Sequence, residues 1–212
     1  MTTPKDIVRD GHDVVSFAYR GDALDTDGDP CYGDLVGLLL SHLDAGSRVL
    51  DLGCGCGIPV ARDFVARHHH VTGVDISPVQ IRRACTLVPS ADFICSDMTS
   101  TVFPTAGFDA IISLYAIIHV PLEEQRGLFR LISTWLKPGG WLLCTVGHRM
   151  WTGTEENWLG VNGGTMSWSH ADEDTYGEWL RDLDFQIVRK QFIPDGEGGH
   201  TAFLSRRGRR TE

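Results

Sequence analysis

The chain has 212 residues, 42% hydrophobic and 22% charged, which is the range of one globular α/β domain with a sizeable core. Its formal net charge of −9 repels a phosphate backbone, and this argues against a nucleic-acid binder. No run reaches the ~20 apolar residues of a membrane helix, and Met1 to Asp6 carries no apolar signal core, so a cytoplasmic chain without membrane contact is expected.

From Asp6 to Tyr19 polar and apolar residues mix at helical spacing, and Tyr32 to Leu43 reads as a second helix with Leu35, Leu38, Leu39 and Leu43 on one side. Arg48 to Leu52 is a short apolar strand that runs into glycines, followed by a helix over Pro59 to Ala66. The unit repeats: Val71 to Asp75 is a strand, and Pro78 to Leu87 a helix with Ser77 as cap and proline at its first position. Asp92 to Cys95 is the next strand, Asp109 to Leu114 a central strand apolar on both faces, and Leu122 to Leu136 a helix. Pro138-Gly139-Gly140 turns into a strand over Trp141 to Val146.

Gly147 to His170 has neither period and is rich in Gly, Trp and His, so a loop acting as a lid or binding segment is expected there. A helix over Asp172 to Leu183 follows, then strands at Phe185 to Ile193 and His200 to Ser205 joined by the turn Pro194 to Gly199. The expected fold is a doubly wound, mostly parallel seven-stranded α/β sheet of Rossmann-like type, ending in an antiparallel C-terminal hairpin strand. It forms one domain over residues 1–212, with residues 1–45 as a helical cap and 147–171 as a lid-like substrate segment.

Three features have plain readings. Six cysteines (Cys31, Cys54, Cys56, Cys85, Cys95 and Cys144) lack zinc-knuckle spacing and are expected to be reduced thiols, Cys54 and Cys56 being small packing residues. His68-His69-His70 cannot all converge on one ion, because successive strand residues point to opposite faces, so a solvated loop and no metal are expected. Arg206 to Arg210 reads as a solvated terminus.

In an open α/β sheet, ligands sit at the carboxyl ends of the strands, where the strand order reverses. There Gly53, Gly55 and Gly57 let backbone approach a ligand, with the N–H groups of the next helix behind them. A nicotinamide dinucleotide site begins the same way, so discrimination lies further on. Asp75, ending the second strand, is placed to accept from both hydroxyls of a ribose and would repel the 2′-phosphate of NADP. Asp97, ending the third, offers a carboxylate to an adenine amine, with Met98 to cover the ring.

These strand ends resemble the class I, Rossmann-like S-adenosylmethionine-dependent methyltransferases of small-molecule type, over nearly the whole chain. The resemblance rests on Val49-Leu50-Asp51-Leu52-Gly53-Cys54-Gly55-Cys56-Gly57, Val71 to Ser77, Ser96-Asp97-Met98, Phe108 to Ser113 and Leu136 to Gly140, specific jointly rather than singly. It implies S-adenosylmethionine as cofactor, its methionine part on Gly53, Cys54 and Gly55 with Asp51 near the amino group. Asp75 would take the ribose, with Ile76 beside it also binding the cofactor, and Asp97 with the Met98 backbone the adenine, while Ser113 and Leu114 present carbonyls to the methionine amine. Many relatives begin with Tyr-Asp and a second tyrosine that closes over the cofactor; here His12-Asp13 departs from the first, and Tyr19 stands at the second. Relatives also often have Thr or Ser where Cys56 sits.

A sulfonium methyl is already electrophilic, so holding the nucleophile in line and excluding water supplies most of the catalysis, roughly 7–11 kcal/mol through effective concentration. For a hydroxyl or carbon nucleophile a base helps, and His119 and His148, beyond the fourth and fifth strands, are the candidates, with Tyr115 near the methyl. Trp151, Trp158, Trp168 and His170 are candidates for walling an apolar substrate pocket. The expected activity is methyl transfer to an O, N or C nucleophile of a small molecule, such as a specialised metabolite, by a monomer or homodimer. Two rivals remain: a protein that binds the cofactor without methyl transfer, as a sensor or rearrangement catalyst, and an NAD-dependent dehydrogenase, whose third glycine would stand one residue later than Gly57.

Overall fold

A computed structural model describes residues 2–22, 32–196 and 198–209. Cys31 and Arg210 lie outside the described residues; of the other five cysteines, Cys54, Cys56 and Cys144 are buried and Cys85 and Cys95 exposed. Helix α1 (Pro4–Tyr19) starts at a capping box in which Thr3 and Asp6 satisfy each other's backbone N–H groups. A π-helical turn at Tyr32–Val36 leads into the short α2 (Gly37–Leu40), so the second helical stretch is less regular than its leucine spacing implies. Strand β1 (Arg48–Leu52), α3 (Val60–Ala66), β2 (His70–Asp75), α4 (Pro78–Leu87), β3 (Asp92–Cys95), β4 (Phe108–Ser113) and α5 (Leu122–Trp135) follow. Ser77 caps α4 by accepting from the Gln80 N–H at 3.0 Å.

Strand β5 spans Leu136–Gly147, because Leu136 pairs with Phe108 and Trp141 with Ala110. The Pro138-Gly139-Gly140 turn is therefore looped out within one strand. Beyond it come β6 (Trp151–Glu155), β7 (Met166–His170), α6 (Glu173–Asp182), β8 (Phe185–Asp195) and β9 (Gly198–Arg207). The main sheet has seven strands in the order β3-β2-β1-β4-β5-β9-β8, with β9 antiparallel to both its neighbours. The order reverses between β1 and β4, which opens a crevice at their carboxyl ends.

The core lies on both faces of this sheet. Leu50, Leu52 and Ile111 pack with Phe129, Trp135 and Leu142, while Val49, Ala110 and Ile112 pack with Leu39, Phe64 and Leu143. Alternation along β1 puts Asp51 on the second face, buried at the end of the strand.

Three sequence expectations are corrected. Gly147 to His170 is not a structureless loop, since β6 and β7 pair as an antiparallel ribbon from Trp151–His170 to Glu155–Met166. Four of the five β7 residues are buried, and its alternation, Met166-Ser167-Trp168-Ser169, is too short to stand out in a segment rich in Gly, Trp and His. His69 is buried beside Phe64, with ring centroids 5.6 Å apart, rather than solvated. Arg206 and Arg207 belong to β9: Arg206 donates to the Gly139 carbonyl at 3.1 Å and covers Trp141, and Arg207 donates to the Leu136 carbonyl. Among the described residues no group of three His, Cys, Asp or Glu could hold a metal, and no helix is long and apolar enough to cross a membrane.

Helix α1 roofs the crevice. Asp13 accepts from Ser77 Oγ at 2.5 Å and Val79 N–H at 3.1 Å, Ser16 donates to Gln80 at 2.9 Å, and Arg83 donates to the Ser16 carbonyl at 2.8 Å. On its other side α1 meets the chain entering β7, where a Cβ on Gly11 would stand 2.1 Å from the Thr165 carbonyl oxygen. Gly11→Ala is therefore expected to cost about 1–3 kcal/mol. Thermal denaturation checks this against Gly127→Ala, at an exposed position of α5 where the new Cβ meets nothing within 4 Å, which is expected to hold or raise the Tm.

Candidate active site

The glycine turn folds back on β2: the N–H groups of Gly53 and Cys54 both donate to the Val74 carbonyl, at 2.7 and 3.0 Å. Gly53 presses against Ala116, whereas a Cβ on Gly55 would meet no protein atom. Asp75 fixes this geometry, its Oδ2 accepting from the Gly55 N–H and its Oδ1 from the Ser77 N–H, both at 2.8 Å. Each oxygen keeps a lone pair for a further donor.

A cavity of about 660 Å³ opens beside the turn, lined by Gly53, Gly55, Asp75, Ile76, Asp97 and Met98, and further by Tyr19, Leu114, Tyr115 and His119. A second hollow of about 540 Å³ on the far side of Gly53 and Gly55 is lined by Asp51, Cys54 and Tyr32 and shares Tyr19, Leu114 and Tyr115. The pair of hollows suits an elongated ligand lying across the glycine turn.

The carboxylates differ in state. Asp51 is fully buried and its Oδ2 has no hydrogen-bond partner among the described residues; burial, and then the charge of Asp75, push its pKa up to about 7. Such an orphan oxygen fits a cationic group of a ligand. Burial also raises the pKa of Asp75. Asp97 is opposite: burial works against its charge, yet the Lys5 ammonium and the Thr99 N–H hold its pKa below the ordinary value. Lys5, from α1, contacts Asp97 at 2.6 Å and Thr99 at 2.7 Å and also pairs with Glu124. Nothing in the sequence signals this clamp, which joins residues 92 positions apart in the chain.

Past β4 the backbone turns sharply. Tyr115 has φ of +54°, unusual for a residue with a side chain, and its N–H donates to Thr145 Oγ1. Ser113 is fully buried, its hydroxyl donating to the Leu52 carbonyl at 2.9 Å, and it does not line the cavity. The short 3₁₀ turn Ile117–His119 is held by buried Gln125, which donates to the carbonyls of Ile117 at 3.1 Å and Val120 at 2.7 Å. His119 Nδ1 lies 2.8 Å from the Ser167 carbonyl, so Nδ1 carries the proton and Nε2 is left as an acceptor. Burial, then neighbouring His12, lowers its pKa to about 3.

Rings gather at this end. His12 lies 5.4 Å from His119 and 5.8 Å from Tyr19, and Trp158 of the ribbon turn lies 5.9 Å from His12 and 5.5 Å from Tyr19. The Trp168 ring leans on His119, with centroids 4.3 Å apart. His12, which stands where many relatives have a tyrosine, thus lines the cavity itself.

The other predicted residues are placed elsewhere. His148, Trp151 and His170 line a separate groove of about 1060 Å³ beside Phe192 and His200, bounded by Trp168. His148 Nδ1 faces Glu173 and Thr201, each at 3.1 Å. The ribbon that extends from β5 carries these residues outward, so the structure does not bring them to the cofactor cavity.

Residues 49–140 match the family described as "Methyltransferase domain". The chain is 33% identical over 153 residues to phosphoethanolamine N-methyltransferase 1 of Triticum aestivum, a match covering 69% of this chain and 30% of that relative. The chain spans less than half the length of the first curated relatives it matches. It is similar in fold to magnesium protoporphyrin IX methyltransferase of Synechocystis with bound S-adenosylmethionine, with TM-score 0.70, 20% identity, and 98% and 99% of the two chains covered. It is likewise similar to the [4+2]-cyclase SpnF, with TM-score 0.71, 22% identity, and 98% and 97% covered.

Proposed function

Because the chain belongs to the class I, Rossmann-like S-adenosylmethionine-dependent methyltransferases, we propose that it transfers the methyl group of S-adenosylmethionine to a small-molecule acceptor. The observation that carries this is the row of carboxylates along one crevice. Asp51, with an unpartnered oxygen, stands at one end, Asp75 lies under the glycine turn, and Asp97 stands at the other end. That spacing of acceptors fits an ammonium, two ribose hydroxyls and an adenine amine in turn.

The cofactor supplies an electrophilic methyl; the chain's own residues orient and enclose. Gly53 and Gly55 admit the methionine part, Asp51 takes the amino group and Met98 covers the base. Leu114 and Tyr115, shared by both hollows, flank the reacting end. We assign a lid role to α1 and the ribbon, which meet at Gly11 and at the Trp158 ring. The setting proposed is a cytoplasmic monomer or homodimer acting on a small molecule, and the charge of −9 supports a partner other than nucleic acid. Likeness to a cyclase favours one second reading, cofactor binding without methyl transfer; release of S-adenosylhomocysteine only in step with a methylated product rules against it.

Calorimetric titration with S-adenosylmethionine tests the cofactor assignment through pH. With its pKa near 7, Asp51 of the free protein is protonated below that value, and an ammonium needs the carboxylate. Affinity is thus expected to fall as pH drops through 7, approaching about tenfold per unit. Asp51→Asn should bind weakly and without this slope. The folded state also holds this proton more tightly than the unfolded chain. Its contribution to apoprotein stability is therefore full below the ordinary value of 3.8 and is lost as pH rises to about 7. A wild-type affinity that is flat between pH 5 and 8 would count against the ammonium assignment.

A further inference from the structure

The end of the cavity around His119 is aromatic. His12, Tyr19, Tyr115 and His119 line it, with the Trp158 ring against three of them. Lys5 is the one lysine or arginine among the residues lining this cavity, and its ammonium is already held by Asp97, Thr99 and Glu124. Asp75 and Asp97 stand at the nucleoside end, one on the glycine turn and the other on Lys5.

This distribution excludes acceptors by their charge. Among the described residues that line this cavity, a phosphate or carboxylate group finds no uncommitted lysine or arginine. Asp75, whose charge reaches His12, is engaged by the Gly55 and Ser77 N–H groups and assigned to the ribose, so among the described residues an alkylammonium finds no uncommitted carboxylate there, and a charge in a poorly solvated site without a partner is costly. What the wall does offer is ring surface and one defined acceptor, His119 Nε2, left bare because Nδ1–H is given to the Ser167 carbonyl. A flat molecule with one hydrogen-bond donor matches both.

We propose that the methyl acceptor is an uncharged aromatic hydroxyl compound, its ring held between the His12 and Trp158 side of the chamber and Tyr115, its hydroxyl donating to His119 Nε2. This rests on the methyltransferase reading above. In the reaction the hydroxyl oxygen lone pair forms the new O–CH₃ bond while the S–CH₃ bond breaks, its electron pair returning to sulfur. The hydroxyl proton passes to His119 Nε2 and then to solvent, so the positive charge lost by the sulfonium leaves as that proton. An alkylated hydroxyl is a far stronger acid than any imidazolium. His119 can therefore take the proton downhill at the end of the step although it is a weak base beforehand.

The test uses the full chain, with 2-naphthol as probe and phosphoethanolamine and ethanolamine as charged comparators. Saturation with S-adenosylhomocysteine is first verified by calorimetry, then 2-naphthol is titrated by calorimetry and its methylation from S-adenosylmethionine is followed by mass spectrometry. Expected are binding of 2-naphthol to the S-adenosylhomocysteine complex, conversion to its methyl ether, and no reaction of either comparator. Trp158→Ala is expected to weaken 2-naphthol binding about tenfold, whereas Trp158→Phe keeps most of it and S-adenosylhomocysteine affinity stays unchanged in both. If S-adenosylhomocysteine binds but 2-naphthol neither binds nor reacts, the acceptor class is wrong and the cofactor reading stands. Methylation of a charged comparator likewise overturns the acceptor class alone, and binding of 2-naphthol without methylation overturns the hydroxyl as nucleophile. Failure to bind S-adenosylhomocysteine overturns both readings.

Discussion

Gly53→Ala is expected to lower affinity for S-adenosylmethionine by on the order of 100- to 1000-fold. Two costs act at this position. The backbone holds φ of +76°, a left-handed conformation that a side chain disfavours by roughly 1–2 kcal/mol. The new Cβ would also stand 2.2 Å from the Cβ of Ala116, a contact that only a backbone shift can relieve, at a further cost of about 1–3 kcal/mol. The turn relieves both by lifting away from Ala116, and in doing so it breaks the N–H bond to Val74 and moves the surface on which the methionine part rests. Gly55→Ala separates the effects, because its Cβ meets no protein atom and projects into ligand space. Its apoprotein Tm is expected to fall less than that of Gly53→Ala while cofactor binding still weakens. Calorimetry with S-adenosylhomocysteine alongside thermal denaturation distinguishes a displaced turn from a misfolded chain; wild-type affinity in Gly53→Ala would remove the turn from the site.

The parallel core was legible because its signals are local. β1 is an apolar run stopped by glycines, and α4 begins at Ser77-Pro78, where cap and proline coincide. Ligand contacts at strand ends follow from topology, so Asp75 and Asp97 stand out in the sequence alone, and both line the cavity. What was hidden depends on distance or on short elements. Strand β7 alternates over Met166-Ser167-Trp168-Ser169, but it has five residues, and what fixes it is pairing with β6 and packing against α1 and the turn that carries His119. Lys5 carries no sign in the sequence that it will reach Asp97 and Glu124. His119 and His148 each follow a parallel strand and are alike in sequence, yet the first faces the cavity and the second an outer groove. The antiparallel β9 beside β5 decides this, since it supplies Thr201 as a partner for His148.

His119→Phe is expected to lower kcat by on the order of 100-fold while leaving affinity for S-adenosylhomocysteine within a few-fold of wild type. Phenylalanine keeps a ring against Trp168 and His12 but removes Nε2, so the change isolates the acceptor from the packing. It also removes the Nδ1–H bond to the Ser167 carbonyl, and thermal denaturation measures that structural cost separately. The pH profile distinguishes the role further. A histidine acting as a base of ordinary strength would give kcat a limb near its unperturbed pKa of about 6.5. With burial holding the His119 pKa at about 3, the imidazole is neutral at any pH where the fold is expected to persist. At saturating cofactor, kcat should therefore show no limb from His119 between pH 5 and 8, and the deficit of His119→Phe should be constant across that range. A deficit that vanishes on the acid side would mean that His119 titrates in the working range and removes protons as an ordinary base. A deficit in S-adenosylhomocysteine affinity as large as that in kcat would place its role in cofactor binding.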